Sequence, residues 1–258
     1  FVNGREVAHQ GKPGIDDDSS DPAVAQQYVP LADARCPLNV VAHVSNFDHR
    51  RGGLVRGIQL GDSAQMQVRR EAGLVRDMGA FGGLALLGVL PILFFVWRRK
   101  EPAPLYFGLF CLSCCVFVAM SGERAALPIL GPLGWDWYLC LMFLSFYGGL
   151  TMFARFVHAA YPGEFGEKQI RAVSWLGGAG SLLSVLTPGS VFTLSLPALG
   201  AFAIVLTGYI GVVLVRASRR TGWRGGAPIL LCGFLAVAIT VGHDWIFFRH
   251  LLGSYWLP

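Results

Sequence analysis

Ionisable side chains are sparse through most of this sequence and crowded in one place. Ser45-Asn46-Phe47-Asp48-His49-Arg50-Arg51-Gly52-Gly53 is the densest polar cluster of the chain. Asn, Asp and paired Gly suit a turn with positive φ. The same stretch also suits ligand contact through Asn46, His49, Arg50 and Arg51. The arginines would donate hydrogen bonds, and His49 would titrate near neutral pH. A second set, Glu123, Arg124, Asp136 and Asp244, falls at the ends of apolar segments rather than inside them. These residues are either interfacial caps and pairs or a network along one rim that feels the preceding part of the chain. Cys111, Cys114 and Cys115 share one apolar stretch with no His, Asp or Glu as a fourth ligand. No metal is expected there, and the thiols pack as small hydrophobes.

Several chemistries lack their residues. The three lysines are Lys12, Lys100 and Lys168, none inside an apolar segment, which excludes a retinal Schiff base. Neither H-E-x-x-H nor G-x-S-x-G occurs, so metallo- or serine hydrolysis has no visible apparatus. Paired carboxylates in mid-segment are missing, which weakens a proton-coupled transporter. No catalytic residue and no cofactor is expected.

The elements that must carry these residues are set by hydropathy. The chain has 258 residues, 53% hydrophobic and 14% charged, with mean hydropathy +0.51, values of a polytopic membrane protein. Gly79 to Trp97 holds nineteen residues without a charge and ends against Arg98-Arg99-Lys100. As a helix it covers about 28 Å, the hydrocarbon thickness of a bilayer. Further spans are expected at 104–120, 137–154, 172–186, 196–215 and 226–248, six in all. The 44 uncharged residues between Arg171 and Arg216 are divided near Pro188-Gly189 and Leu196-Pro197.

Residues 1–63 read as β, with an Asn3-Gly4 hairpin turn and strands at Leu38–Ser45 and Leu54–Leu60. Residues 64–78 read as a short amphipathic juxtamembrane helix. Of six cysteines only Cys36 falls in this first part, so no disulfide forms within it. The start at Phe1, without a signal peptide, suggests a piece of a longer protein.

Charge fixes the expected orientation. With the first residues outside, the inner loops 98–103, 155–171 and 216–225 hold ten basic residues, and the outer loops hold Arg124 and Arg249. That asymmetry follows the positive-inside rule. It also accounts for the twelve basic against six acidic residues after position 77 without invoking nucleic acid. The glycines of the patch Gly79 to Gly83 (79, 82 and 83), 177, 178 and 180, and 208 with 211, permit close helix approach, within one bundle or between two copies as a homodimer.

The polar cluster also carries a resemblance. V-S-N-F-D-H-R-R-G-G-L followed by I-Q-L-G, with F-V-N-G-R-E-V-A-H-Q-G before it, resembles the extracellular jelly-roll domain of bacterial seven-transmembrane receptors with diverse intracellular signalling modules. L-Y-F-G-L-F-C-L, S-G-E-R, L-S-F-Y-G-G-L, F-x-x-x-x-Y-P-G-E-F, V-L-T-P-G-S-V and H-D-W-I-F-F resemble its membrane half, in family order. The resemblance implies a partial all-β jelly-roll sandwich, related to carbohydrate-binding modules, ahead of a membrane all-α helical bundle with six of seven helices present. It implies a bacterial inner-membrane location with the N-terminal domain periplasmic. It further implies a periplasmic small molecule or carbohydrate as ligand, and a cytoplasmic output module in the same parent chain, such as a diguanylate cyclase or histidine kinase. The fragment itself would not be an enzyme. The alternative is a transporter or channel-like bundle with an accessory outer domain.

Overall fold

Long helices begin at Ser63 and make up most of the chain from there to Gly253. The computed structural model describes residues 1–16, 18–23, 27–31, 37–47, 57–121, 134–222 and 226–253, with side chains to Thr240 in the last helix. The helices are α1 (Ser63–Arg98), α2 (Ala103–Met120), α3 (Trp135–Ala160), α4 (Glu167–Leu186), the single turn α5 (Gly189–Phe192), α6 (Leu196–Thr221) and α7 (Ala227–Gly253). A 3₁₀ turn, Thr193–Ser195, joins α5 to α6.

The described residues before Ser63 hold turns and isolated bridges. Asn3 and Gly4 both take positive φ, 50° and 78°. The Val2 and Arg5 amides each donate to the other's carbonyl, at 2.8 and 3.0 Å, closing the expected two-residue hairpin. Bridges join Val2 to Val40 and Lys12 to Asp21. Among the described residues no continuous strand forms. Val40, Val41 and Val44 are all more than a third exposed, so the alternation of Leu38–Ser45 has no sheet to bury its apolar face. The expected strand at 54–60 lies partly outside the described residues, and Gly57–Leu60 has no regular structure.

The amphipathic segment and the first span form one helix. Nothing between Ser63 and Arg98 breaks the backbone ladder before Pro91, and 36 residues give a rod about 54 Å long. Nearly half of it extends beyond the nineteen-residue apolar stretch. Helix α1 packs antiparallel on α2 where Gly88 meets Gly108. A Cβ at Gly108 would lie 2.5 Å from the Gly88 carbonyl oxygen, and one at Gly88 would lie 2.7 Å from the Leu112 side chain. Only hydrogen at both positions lets the backbones come this close.

Helix α2 packs on α3, α3 on α4 and α6, and α6 on α7. At the α3–α4 crossing, a Cβ at Gly177 would run into the Thr151 side chain, and one at Gly180 into the Tyr147 ring. Gly79, Gly82, Gly83, Gly178 and Gly208 instead face open space. Among the described residues, four segments are long and apolar enough to cross a bilayer: α1, α2, α3 and the run Gly189–Thr221. These match the first, second, third and fifth expected spans. Helix α4 carries Glu167, Lys168 and Arg171 in its first five residues and is rich in Gly and Ser, so its apolar part is short. The described apolar part of α7, Ala227–Thr240, is also shorter than a span.

Two buried clusters define the ends of the bundle. At one end Met120, Tyr138, Leu139, Phe143, Tyr147, Phe192 and Leu199 pack together. There the Tyr138 hydroxyl donates to the Met120 carbonyl at 2.7 Å, satisfying an orphan acceptor at the end of α2. At the other end Ala154, Val157, Phe165, Ile170, Leu206, Ile210, Val213 and Leu214 form the core, with Phe234 of α7 packed against it. This second end carries Arg155, Arg171 and Arg220 and is the basic end of the bundle.

Candidate functional site at the basic end of the bundle

Polar chemistry in the helical part concentrates where α3 turns into α4. Helix α3 stops at Ala160 because Pro162 disfavours helical backbone at Tyr161, whose φ and ψ are −135° and 65°. The Glu164 and Phe165 amides both donate to the Tyr161 carbonyl, at 3.0 and 3.2 Å, and fold the chain back. This turn drives Phe165 fully inside. Its ring meets Tyr209 of α6 edge-on at 5.0 Å and His158 at 6.0 Å. Burial also pushes the Tyr161 phenol above its ordinary value. Beside it the Glu164 carboxylate, only 10% exposed, accepts from Arg220 Nη1 at 2.7 Å and ties the turn to α6.

His158 is fixed from two sides. Its Nδ1 lies 2.9 Å from the Phe165 carbonyl oxygen, which can only accept, so Nδ1 carries the hydrogen. Its Nε2 faces Glu167 Oε1 at 3.4 Å, so a second proton on the ring makes an ion pair with the start of α4.

Next to this turn lies an open groove of about 480 Å³ between α2, α3 and α4. Tyr106 comes from α2, Arg155 and His158 from α3, and Arg171, Ser174 and Trp175 from α4. Arg155 Nε donates to Ser174 Oγ at 3.1 Å, and that hydroxyl donates to the Ile170 carbonyl at 2.8 Å. The Arg155 guanidinium also sits over the Tyr106 ring, 5.7 Å from its centroid. Among the described residues no group of three His, Cys, Asp or Glu converges on a metal-sized site.

The residues singled out by sequence fall elsewhere. Asn46 is exposed, and its neighbour Ser45 accepts from the Gly14 amide at 3.1 Å. His49, Arg50, Arg51, Glu123 and Arg124 lie outside the described residues, and Asp244 is described in its backbone alone. Asp136, in the first turn of α3, accepts from the Gly189 amide at 2.8 Å and so holds the start of α5. Nearby, the hydroxyls of Tyr147 and Ser195 are 3.2 Å apart. The structure therefore brings Asp136 to α5 and brings none of the other singled-out residues into a described contact with it. The basic-end groove was missed because Arg155 and Arg171 served only as topological charges. The available signal was their spacing around the Tyr161-Pro162-Gly163 turn, which returns one helix end onto the next.

A family model described as 7TM diverse intracellular signalling matches residues 76–258, about seven-tenths of the chain. No curated protein and no solved structure matches. The matched region starts within α1 and takes in both helix-end clusters and the Tyr161–Phe165 turn. A bundle of long apolar helices whose loop charges gather at one end, matched over that length, places this chain in the 7TM diverse intracellular signalling family.

Proposed function

We propose that this chain is the sensing and transmission unit of a bacterial transmembrane signalling receptor. Residues before Ser63 belong to a periplasmic jelly-roll domain that takes a small molecule or carbohydrate. The basic end lies in the cytosol and biases an output module of the parent chain, such as a diguanylate cyclase or histidine kinase. Helix α4 and the whole of α7 complete six crossings.

The observation that carries this reading is the continuity of α1. One helix runs from Ser63 to Arg98 at the basic end, and in this reading its first turns stand outside the outer surface of the bilayer. The ladder is unbroken from Ser63 to the Gly88–Gly108 crossing with α2 and meets its one proline, Pro91, only beyond it, so a push or rotation at the start of α1 reaches that crossing through continuous helix. The family match supports a signalling role, and the positive-inside rule supports the orientation.

The test places an environment-sensitive dye on Lys168→Cys, in a background without native cysteines, and titrates a glycan panel onto the protein in nanodiscs. A saturable dye response to one glycan supports sensing with transmission. Failure of every glycan to bind the folded protein removes the carbohydrate ligand. Solute flux in proteoliposomes would replace the receptor with the transporter alternative.

A further inference from the structure

The groove between α2, α3 and α4 is short of negative charge, and its position limits what can supply it. We infer that it is a binding site for a phosphate group, provided by the headgroup of an anionic phospholipid. Two guanidiniums face it, Arg155 and Arg171. Neither has a carboxylate within ion-pair distance among the described residues, and the one acid at the rim, Glu167, faces His158 instead. Arg155 is partly buried, with Nε on Ser174 and its face on Tyr106. Those two contacts leave its Nη donors for a ligand, and a half-desolvated guanidinium without an anion is costly.

Depth selects the source. Arg155 directly follows the uncharged stretch 137–154 of α3, and Arg171 directly precedes the uncharged 172–186 of α4. The placement rests on the proposed crossing of the bilayer by α4: both guanidiniums then stand where the helices leave hydrocarbon, the level of lipid phosphates. Trp175, 76% exposed one turn further along α4, provides the aromatic flank usual at that interface. Basic pockets between transmembrane helices on the cytoplasmic side bind lipid headgroups by this arrangement.

The experiment uses the purified 258-residue protein in a neutral detergent and reads bound lipid by native mass spectrometry. Dioctanoyl phosphatidylglycerol, dioctanoylglycerol and inorganic phosphate are titrated separately. Phosphatidylglycerol is expected to bind saturably and dioctanoylglycerol is not. Arg155→Gln should weaken binding about tenfold and Arg171→Gln about fivefold, as for loss of charge-assisted hydrogen bonds. Lys168→Gln, outside the groove lining, should change it less than about twofold. Arg171 is exposed and makes no ion pair among the described residues, so its variant keeps the fold if Arg155→Gln does not.

Inorganic phosphate binding as tightly as phosphatidylglycerol, with the same dependence on the arginines, would keep the phosphate site and overturn the lipid as its source. Equal binding of phosphatidylglycerol and dioctanoylglycerol would overturn the site. So would affinity unchanged in both arginine variants, or weakened as much by Lys168→Gln.

Discussion

Of the contacts that hold the Tyr161–Phe165 turn, the Glu164–Arg220 pair and the burial of Phe165 are ranked by their magnitudes. Arg220 is 73% exposed, so its pair with Glu164 is largely screened by water. A double-mutant cycle with Glu164→Gln and Arg220→Gln should give a coupling of about 0.5–1 kcal/mol in thermal unfolding. Phe165 is fully buried among side chains of three helices, and Phe165→Ala should cost about 3–5 kcal/mol in the same measurement. The reverse order would mean that charge, not packing, closes the turn. Tyr161 gives the pH dependence. Its phenol titrates above the ordinary value of about 10 because burial disfavours the phenolate. The stability linked to it is fully present below about pH 10 and is lost as pH rises through the raised value. An ultraviolet phenolate titration should lose a late-titrating tyrosine in Tyr161→Phe. Loss of an ordinary one instead would contradict the burial.

At the scale of elements, helix crossings depend on particular glycines. Gly177→Ala places a methyl against the Thr151 side chain and should destabilise by about 1–3 kcal/mol, since the α3–α4 interface must open. Gly82→Ala meets open space and should be neutral or stabilising by up to about 1 kcal/mol through helix propensity. Melting temperatures of the two variants in one detergent compare them directly, and equal losses would contradict the crossing geometry.

The elements also show what a single sequence reveals. Asn3-Gly4 was legible because the positive φ of both turn residues is a local demand. The apolar cores of α1, α2, α3 and α6 were legible because lipid demands uncharged length. Helix ends were less so. Arg155 ends the apolar run of α3 but not the helix, which continues to Ala160, because a backbone ladder persists where hydrophobicity stops. The fusion of 64–78 with the first span was hidden for the same reason. Strand alternation at Leu38–Ser45 records a preference that needs a partner, and among the described residues a single bridge at Val40 answers it. The groove was invisible because Tyr106, Arg155 and Arg171 meet only after three helices pack.

For the whole molecule, contacts tie the charged loops together without reference to a bilayer. Arg220 of α6 reaches the α3–α4 turn, and Arg155 of α3 reaches Tyr106 near the start of α2, which comes shortly after Arg98-Arg99-Lys100. The opposite end is tied by Tyr138 to Met120 and by Asp136 to Gly189. The molecule therefore has a basic pole and an opposite pole, and its proposed signalling direction rests on which one faces the cytosol. Labelling of single cysteines by a membrane-impermeant maleimide decides this most directly, using Ser20→Cys and Lys168→Cys in a background without native cysteines. In right-side-out spheroplasts Ser20→Cys should react and Lys168→Cys should not, and in inverted vesicles the pattern should reverse. Reaction of Lys168→Cys from outside, or of both positions from the same side, would contradict the account.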